Sequence, residues 1–223
     1  MTYKPKFLTP AEGGLGASTT ATSGKVLRGD GTNWIASTPT FPTTAGTTGT
    51  VLRSDGTNIV NSTAFTIGST GIMTNTAQPI LTAIVDTAQT NATGDGTSFD
   101  VIFDQIVDQN GSNYNTGTGK FTCPVAGYYL VSYTVTFTGV TSAMNDGNSQ
   151  ILSSAGTIQK RSWNAAAIRA ASNEAVISDC IITKRAASDT LYINIQISNG
   201  TKVASTKAES FGPFCYLSIQ LLA

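Results

Sequence analysis

The chain has 223 residues, enough to bury at least one sizeable core in one or two domains. Thirteen basic and thirteen acidic side chains cancel, and charged residues make up only 12% of the chain, so no net field gathers nucleic acid or an anionic membrane. Apolar residues stay at 40%, too many for a disordered chain, and there is no His, the commonest general base and metal ligand.

The amino-terminal segment, residues 1–22, opens "MTYKPKFLTPAEGG", with two prolines, no periodicity and a few apolar anchors in Tyr3, Phe7 and Leu8. This pattern predicts an extended segment that orders only on a partner. It lacks the apolar stretch of a signal peptide, and no stretch of the chain is long enough for a membrane span. The expectation is assembly in a cytoplasm without membrane insertion.

Residues 23–80 contain an internal repeat. "SGKVLRGDGTNWIAST" (23–38) returns as "TGTVLRSDGTNIVNST" (48–63), an offset of 25. Asp-Gly is a favoured hairpin corner because it tolerates positive φ, so each unit reads as strand, turn, strand. Such a hairpin has too little apolar area to stand alone, and identical chains around a common axis would cover it. Arg28-Gly29-Asp30 spells a tripeptide that integrins recognise. The second unit has Arg53-Ser54-Asp55 at the same turn, so the position asks only for a small residue. The Thr-, Gly- and Pro-rich linkers carry no helical period. This segment resembles the shaft and stem segments of bacteriophage fibres.

From residue 81 to 223 the texture changes to strands. "GYYLVSYTVTF" places Tyr129, Val131, Tyr133, Val135 and Phe137 on one face, and "TLYINIQI" does the same with Leu191, Ile193, Ile195 and Ile197. "CYLSIQLLA" ends the chain as an apolar strand. Strands without intervening helices predict an all-β sandwich. Cys123, Cys180 and Cys215 each sit in an apolar stretch and read as buried, inert thiols. They match no zinc spacing, and no phosphate loop or nucleophile elbow appears, which argues against an enzyme. Asp95, Asp100, Asp104 and Asp108 fall within fourteen residues; they are either a solvated acidic loop, the favoured reading, or a weak calcium site. No other cofactor is expected.

Tyr114, six residues, Phe121, five residues, Gly127, then Tyr129 and Tyr133 follow the C1q-domain signature. Phe103 upstream and the closing "SFGPFCYLSIQLL" fit its first and last strands, and Asp189 fits its tight acidic turn. Gln109 and Val131 depart from the usual residues at their positions. The segment 81–223 therefore resembles the C1q/tumour-necrosis-factor family, which implies a jelly roll that trimerises through apolar, aromatic-rich faces. Tyr129, Val131, Tyr133, Phe214 and Tyr216 are the expected trimer core.

In a jelly roll consecutive strands alternate direction. Counting back from the last strand, loops 138–149, 164–174 and 198–211 share one end, and turns 155–157 and 185–189 share the other. Long loops are where binding tends to sit. Asn145, Asp146, Asn148, Trp163, Arg169, Asn173, Lys202 and Lys207 are the candidate contacts to a host-surface glycan or protein. The whole chain reads as a viral fibre assembled in the host cytoplasm and displayed on the virion surface: residues 1–22 docked on a capsid or tail protein, a repeat stem and a trimeric head. A capsid decoration protein without a receptor role, and a secreted C1q-like recognition protein, are the alternatives.

Overall fold

The computed structural model describes residues 24–29, 34–44, 46–47, 49–208 and 214–222. The expected anchor at 1–22, Asp30 of the Arg-Gly-Asp tripeptide and positions 209–213 of the last long loop lie outside the described residues. The chain divides into two compact units, 1–76 and 77–223, and each is described by itself.

In the first unit Leu27–Gly29 (β1) pairs antiparallel with Trp34–Ala36 (β2). Thr50–Ser54 (β3), Ile59–Ile67 (β4) and Met73–Asn75 (β5) form a three-stranded antiparallel meander. Its first turn is built on Asp55, whose Oδ1 accepts hydrogen bonds from the backbone N–H of Thr57 (2.9 Å) and Asn58 (2.7 Å), while Gly56 takes a φ of +99°. Those bonds, Asn58 first, hold the Asp55 carboxyl below its ordinary pKa. Asn58 in turn accepts from Thr40 N–H at 3.0 Å, tying the meander to the linker before it. Leu52, Ile67, Ile72 and Met73 remain exposed, as the small apolar area of such hairpins leads one to expect.

The second unit is a two-sheet jelly roll, its described residues all-β apart from one helical turn. The strands are Ile80–Ile84 (β6), Ser98–Asp100 (β7), Gln105–Asn110 (β8), Tyr114–Asn115 (β9), Lys120–Thr122 (β10), Gly127–Thr138 (β11), Asp146–Ser153 (β12), Gly156–Trp163 (β13), Ala175–Arg185 (β14), Thr190–Ser198 (β15), Ser205–Thr206 (β16) and Tyr216–Leu221 (β17). One sheet runs β14-β11-β17-β6-β8, with β16 beside β11. The other runs β13-β12-β15-β10-β9, with β7 beside β15. The first and last strands of the unit are neighbours, Leu81 opposite Ile219, and Leu221 N–H bonds Pro79 O at 3.0 Å. The chain therefore enters and leaves the unit at one end. The turns after β12 and β14 lie there too, joined where Ser154 Oγ donates to Asp189 (3.0 Å). Among the described residues no helix is long and apolar enough to cross a membrane.

The core lies between the sheets. Tyr129, Val131, Tyr133, Val135 and Phe137 of β11 face Leu191, Ile193, Ile195 and Ile197 of β15, all essentially fully buried. Each such side chain contributes about 1.5–3 kcal/mol on burial. Aromatic edges organise it: Phe121 meets Tyr129 at 6.1 Å and Phe99 meets Phe137 at 6.3 Å. The signature tyrosines keep their hydroxyls satisfied, Tyr114 accepting from Phe103 N–H (3.2 Å) and Tyr129 donating to Val125 O (2.7 Å).

This packing corrects the expected trimer core. Tyr129, Val131 and Tyr133 are covered by the opposite sheet of the same chain and present nothing to a partner. Phe214 is half-buried, with Lys207 Nζ 3.7 Å from its ring centroid. Of the five, Tyr216 alone stands exposed on the outward face. Cys180 is a second correction. Cys123 and Cys215 are buried, and burial pushes the Cys123 thiol up to about 11, but Cys180 points outward between inward-facing Asp179 and Ile181.

Candidate functional site

Three surfaces of the second unit carry candidate chemistry. The first is the loop end opposite Ile80 and Leu221. Val140 N–H bonds Asn173 O (3.0 Å), Ala166 N–H bonds Met144 O (2.8 Å), and Thr93 bridges Ala204, so the loops after β11, β13 and β15 meet there. The approach of the 89–97 segment needs glycine at position 94: with φ at +129°, a Cβ would lie 2.1 Å from Thr201 O. The loop after β13 contains one helical turn, Ala165–Ile168 (α1), capped by Asn164, whose Oδ1 accepts from Ala167 N–H at 3.0 Å.

Several of the expected contacts meet at this end. Asn145 Oδ1 accepts from Asn199 (2.7 Å), and Asp146 opens β12 opposite Ser198. Arg169 donates to Asn173 Oδ1 (2.5 Å), and Asn173 takes a φ of +62°. Lys207 pairs with Glu174 at 2.8 Å, and that hydrogen bond holds the Glu174 carboxyl below its ordinary value. Lys202 is exposed. Trp163 is different: it ends β13 with its ring turned over Gly147 (a Cβ there would meet the ring at 3.2 Å) and with Nε1 buried and unpartnered. Asn148 is not a loop residue at all. It lies inside β12 and is only 8% exposed, because pairing with β13 on one side and β15 on the other extends the strand over a turn-like Asp-Gly-Asn sequence.

The four aspartates are not brought together. Asp95 caps its own turn through Thr97 N–H (2.9 Å), and Asp100 accepts from Asn194 (2.8 Å). Asp104 accepts from the backbone N–H of Asp86 (2.8 Å) and Thr87 (3.0 Å). Burial alone would raise the Asp104 carboxyl; these bonds outweigh it and hold the group below its ordinary pKa. Asp108 stands on β8 opposite Thr82. Among the described residues no group of three or more His, Cys, Asp or Glu side chains converges as metal ligands do. The open groove of about 410 Å3 in the first unit is lined by Phe41, Pro42, Leu52, Asn61 and small neighbours, none of them titratable.

The second surface is the outward face of the sheet centred on β11. Cross-strand rows read Ile182, Leu130, Gln220, Ile80, then Cys180, Ser132, Ser218, Thr82, then Ser178, Thr134, Tyr216, Ile84. Charge is confined to its margins, at Lys184 and Asp108. Ile182 is 62% exposed and Val176 54%, with Tyr128 and Leu222 exposed nearby. The face is uncharged between those margins, with Ser and Thr in its middle rows and exposed apolar side chains at Ile182, Val176, Tyr128 and Tyr216.

The third surface is the outward face of the other sheet. Its rows read Ser162, Asn148, Gln196, Ser98, then Lys160, Gln150, Asn194, Asp100. The amides bond one another across and along the strands. Where the two sheets meet at the β13–β14 edge, inward-facing Asp179 accepts from Gln159 and Arg161, each at 2.5 Å. Sequence reasoning did not single out Ile182, Leu130, Gln150, Asn194, Gln196 or Asp179. The period-2 alternation that marked the core also fixes the residues between core positions as outward, and that was the available signal.

An antiparallel jelly roll with adjacent first and last strands, one uncharged outer face and one amide-rich one defines a globular β-sandwich head module. The sequence pattern of the C1q domain matches residues 83–214, more than half of the chain, and the chain belongs to the C1q-domain family. Among solved structures it is similar to the globular domain of zebrafish complement 1qA, at 14% identity and a TM-score of 0.46, over 65% of this chain and 98% of that one. It is also similar to murine APRIL at pH 8.0, at 15% identity and a TM-score of 0.46, over 65% and 99% of the two chains. No curated protein matches it in sequence.

Proposed function

We propose that the chain is the protomer of a homotrimeric virion fibre, non-catalytic, with residues 1–22 docked on a capsid or tail protein and the C1q-type head contacting the host surface. The observation that carries the assembly is the uncharged outward face of the β14-β11-β17-β6-β8 sheet. Its exposed Ile182, Val176, Tyr128 and Tyr216 need cover that a single chain does not supply. The exposed Leu52, Ile67, Ile72 and Met73 of the hairpin unit favour the same arrangement. Membership of the C1q family supports a trimeric head. The loop end, with Asn145, Asp146, Arg169, Asn173, Lys202 and Lys207, is the host-facing surface in this reading.

Two measurements test it. Deleting residues 2–16 leaves soluble trimers that no longer incorporate into particles; normal incorporation removes the anchor role. Replacing Trp163, Arg169 and Asn145 together with Ala lowers adsorption of intact particles while trimers remain folded. Unchanged adsorption takes the host contact off the loop end and leaves a decoration protein or another surface of the head.

A further inference from the structure

The outward face of the β13-β12-β15 sheet is an ordered array of neutral amides. Gln150 Nε2 donates to Asn148 Oδ1 (3.1 Å), Asn148 Nδ2 to Gln196 Oε1 (2.7 Å), and Gln196 Nε2 to Gly96 O (2.5 Å). Between the two rows Ser98 Oγ donates to Asn194 Oδ1 (2.6 Å), and within the second Asn194 Nδ2 donates to Asp100 Oδ1 (2.8 Å). Thr157 Oγ1 closes the chain on Gln150 Oε1 (3.1 Å). Each bond fixes which end of an amide is oxygen and which is nitrogen. A primary amide carries two N–H donors and an oxygen with two lone pairs, so each of these four amides has one donor and one acceptor site beyond the network. Gln150, Asn194 and Gln196 are half-buried and present those sites outward from rigid strands.

Charge on this face is sparse: Lys120 Nζ lies 3.9 Å from Asp100 and 4.4 Å from the centre of the Tyr192 ring, and exposed Lys160 stands beside Gln150. Tyr192 and Leu152, paired across β15 and β12, make a small apolar step at the edge of the array. Fixed donor and acceptor pairs, few charges and an aromatic margin suit an uncharged polyhydroxylated ligand. Such a ligand needs paired hydrogen bonds and gains nothing from a charged site. Side chains already held by the network lose little rotamer freedom on binding.

We infer that this sheet face binds neutral oligosaccharide, across Gln150, Asn194 and Gln196 with Tyr192 against one sugar edge. The inference rests on the reading of the head as an attachment module, but not on the loop end as the contact. The test is saturation-transfer NMR and titration of the full-length protein with maltotetraose, mannotetraose, lactotetraose and chitotetraose, with sialyllactose as the charged comparison. At least one neutral sugar binds, and Gln150→Ala with Asn194→Ala weakens it at least tenfold. The near-isosteric variant Gln150→Glu, which keeps the size of the side chain and removes its donor, also weakens it. The triple loop variant at Trp163, Arg169 and Asn145 leaves sugar binding unchanged. Absence of binding by every neutral sugar, binding of sialyllactose alone, or loss in the loop variant but not in the sheet variants overturns the inference. Particle adsorption, measured separately, still decides whether the head attaches to the host.

Discussion

The two sheets of the head share one core and turn opposite chemistry outward. On β11 and β14 the residues between core positions are Leu130, Ser132, Cys180 and Ile182; on β12 and β15 they are Asn148, Gln150, Asn194 and Gln196. Both sets sit at the same period and at similar places in their strands, so the backbone does not impose the difference. An exposed apolar row is unfavourable in water unless something covers it, whereas a hydrogen-bonded amide row is stable there. In the proposed assembly copies of the chain cover the first face and leave the second open.

The largest expected effect comes from putting charge on the apolar face. Ile182→Asp with Leu130→Asp buries two unpaired carboxylates in any interface there, and hot-spot losses of about 2–4 kcal/mol each are expected. Sedimentation velocity should show trimer for the parent and monomer for the variant at micromolar concentration. A trimeric variant breaks the assignment of this face.

A smaller effect tests the seam between the sheets. Asp179, its side chain 6% exposed, accepts from Gln159 and Arg161 at the β13–β14 edge. Asp179→Ala leaves both donors without that partner and should cost about 1–3 kcal/mol in denaturant unfolding. Trimers should persist, because the residue faces inward.

The smallest effect is at Asp104, on the segment where the chain crosses from β7 in the polar sheet to β8 in the apolar one. Its carboxyl lies below its ordinary pKa when folded, so its contribution is present at neutral pH. That contribution is lost as pH falls from the ordinary carboxylate value through the folded one. Asp104→Ala should lower the unfolding midpoint at pH 7 and reduce the drop as pH falls below the ordinary carboxylate value. An unchanged acid profile would remove Asp104 from that joint.

Much of this was legible in sequence. The alternation in "GYYLVSYTVTF" and "TLYINIQI" picks out the core strands, and the Tyr114, Phe121 and Gly127 spacing carries the family. What alternation alone leaves open is which solvent each face meets. Tyr129, Val131 and Tyr133 read as interface residues from alternation alone, whereas Leu191, Ile193 and Ile195 of the opposing sheet cover them. Cys180 reads as buried because its neighbours are apolar, yet Ile181 and Ile182 point to opposite faces. Asp146 and Asn148 read as turn residues because local composition competes with long-range pairing, and pairing on both sides of β12 wins. The four residues of α1 are too few to carry a helical period. The amide network depends on cross-strand register, which period and composition do not set.

The assignment of the two faces is tested most directly by thiol accessibility. Cys180 is exposed in the single chain and lies on the apolar face, while Ser162 is exposed on the amide face. In native protein carrying Ser162→Cys, a maleimide should label position 162 rapidly and leave Cys180 unreacted. Cys180 should become reactive once Ile182→Asp and Leu130→Asp separate the chains. Labelling of Cys180 in the native assembly as fast as at position 162 would contradict the account.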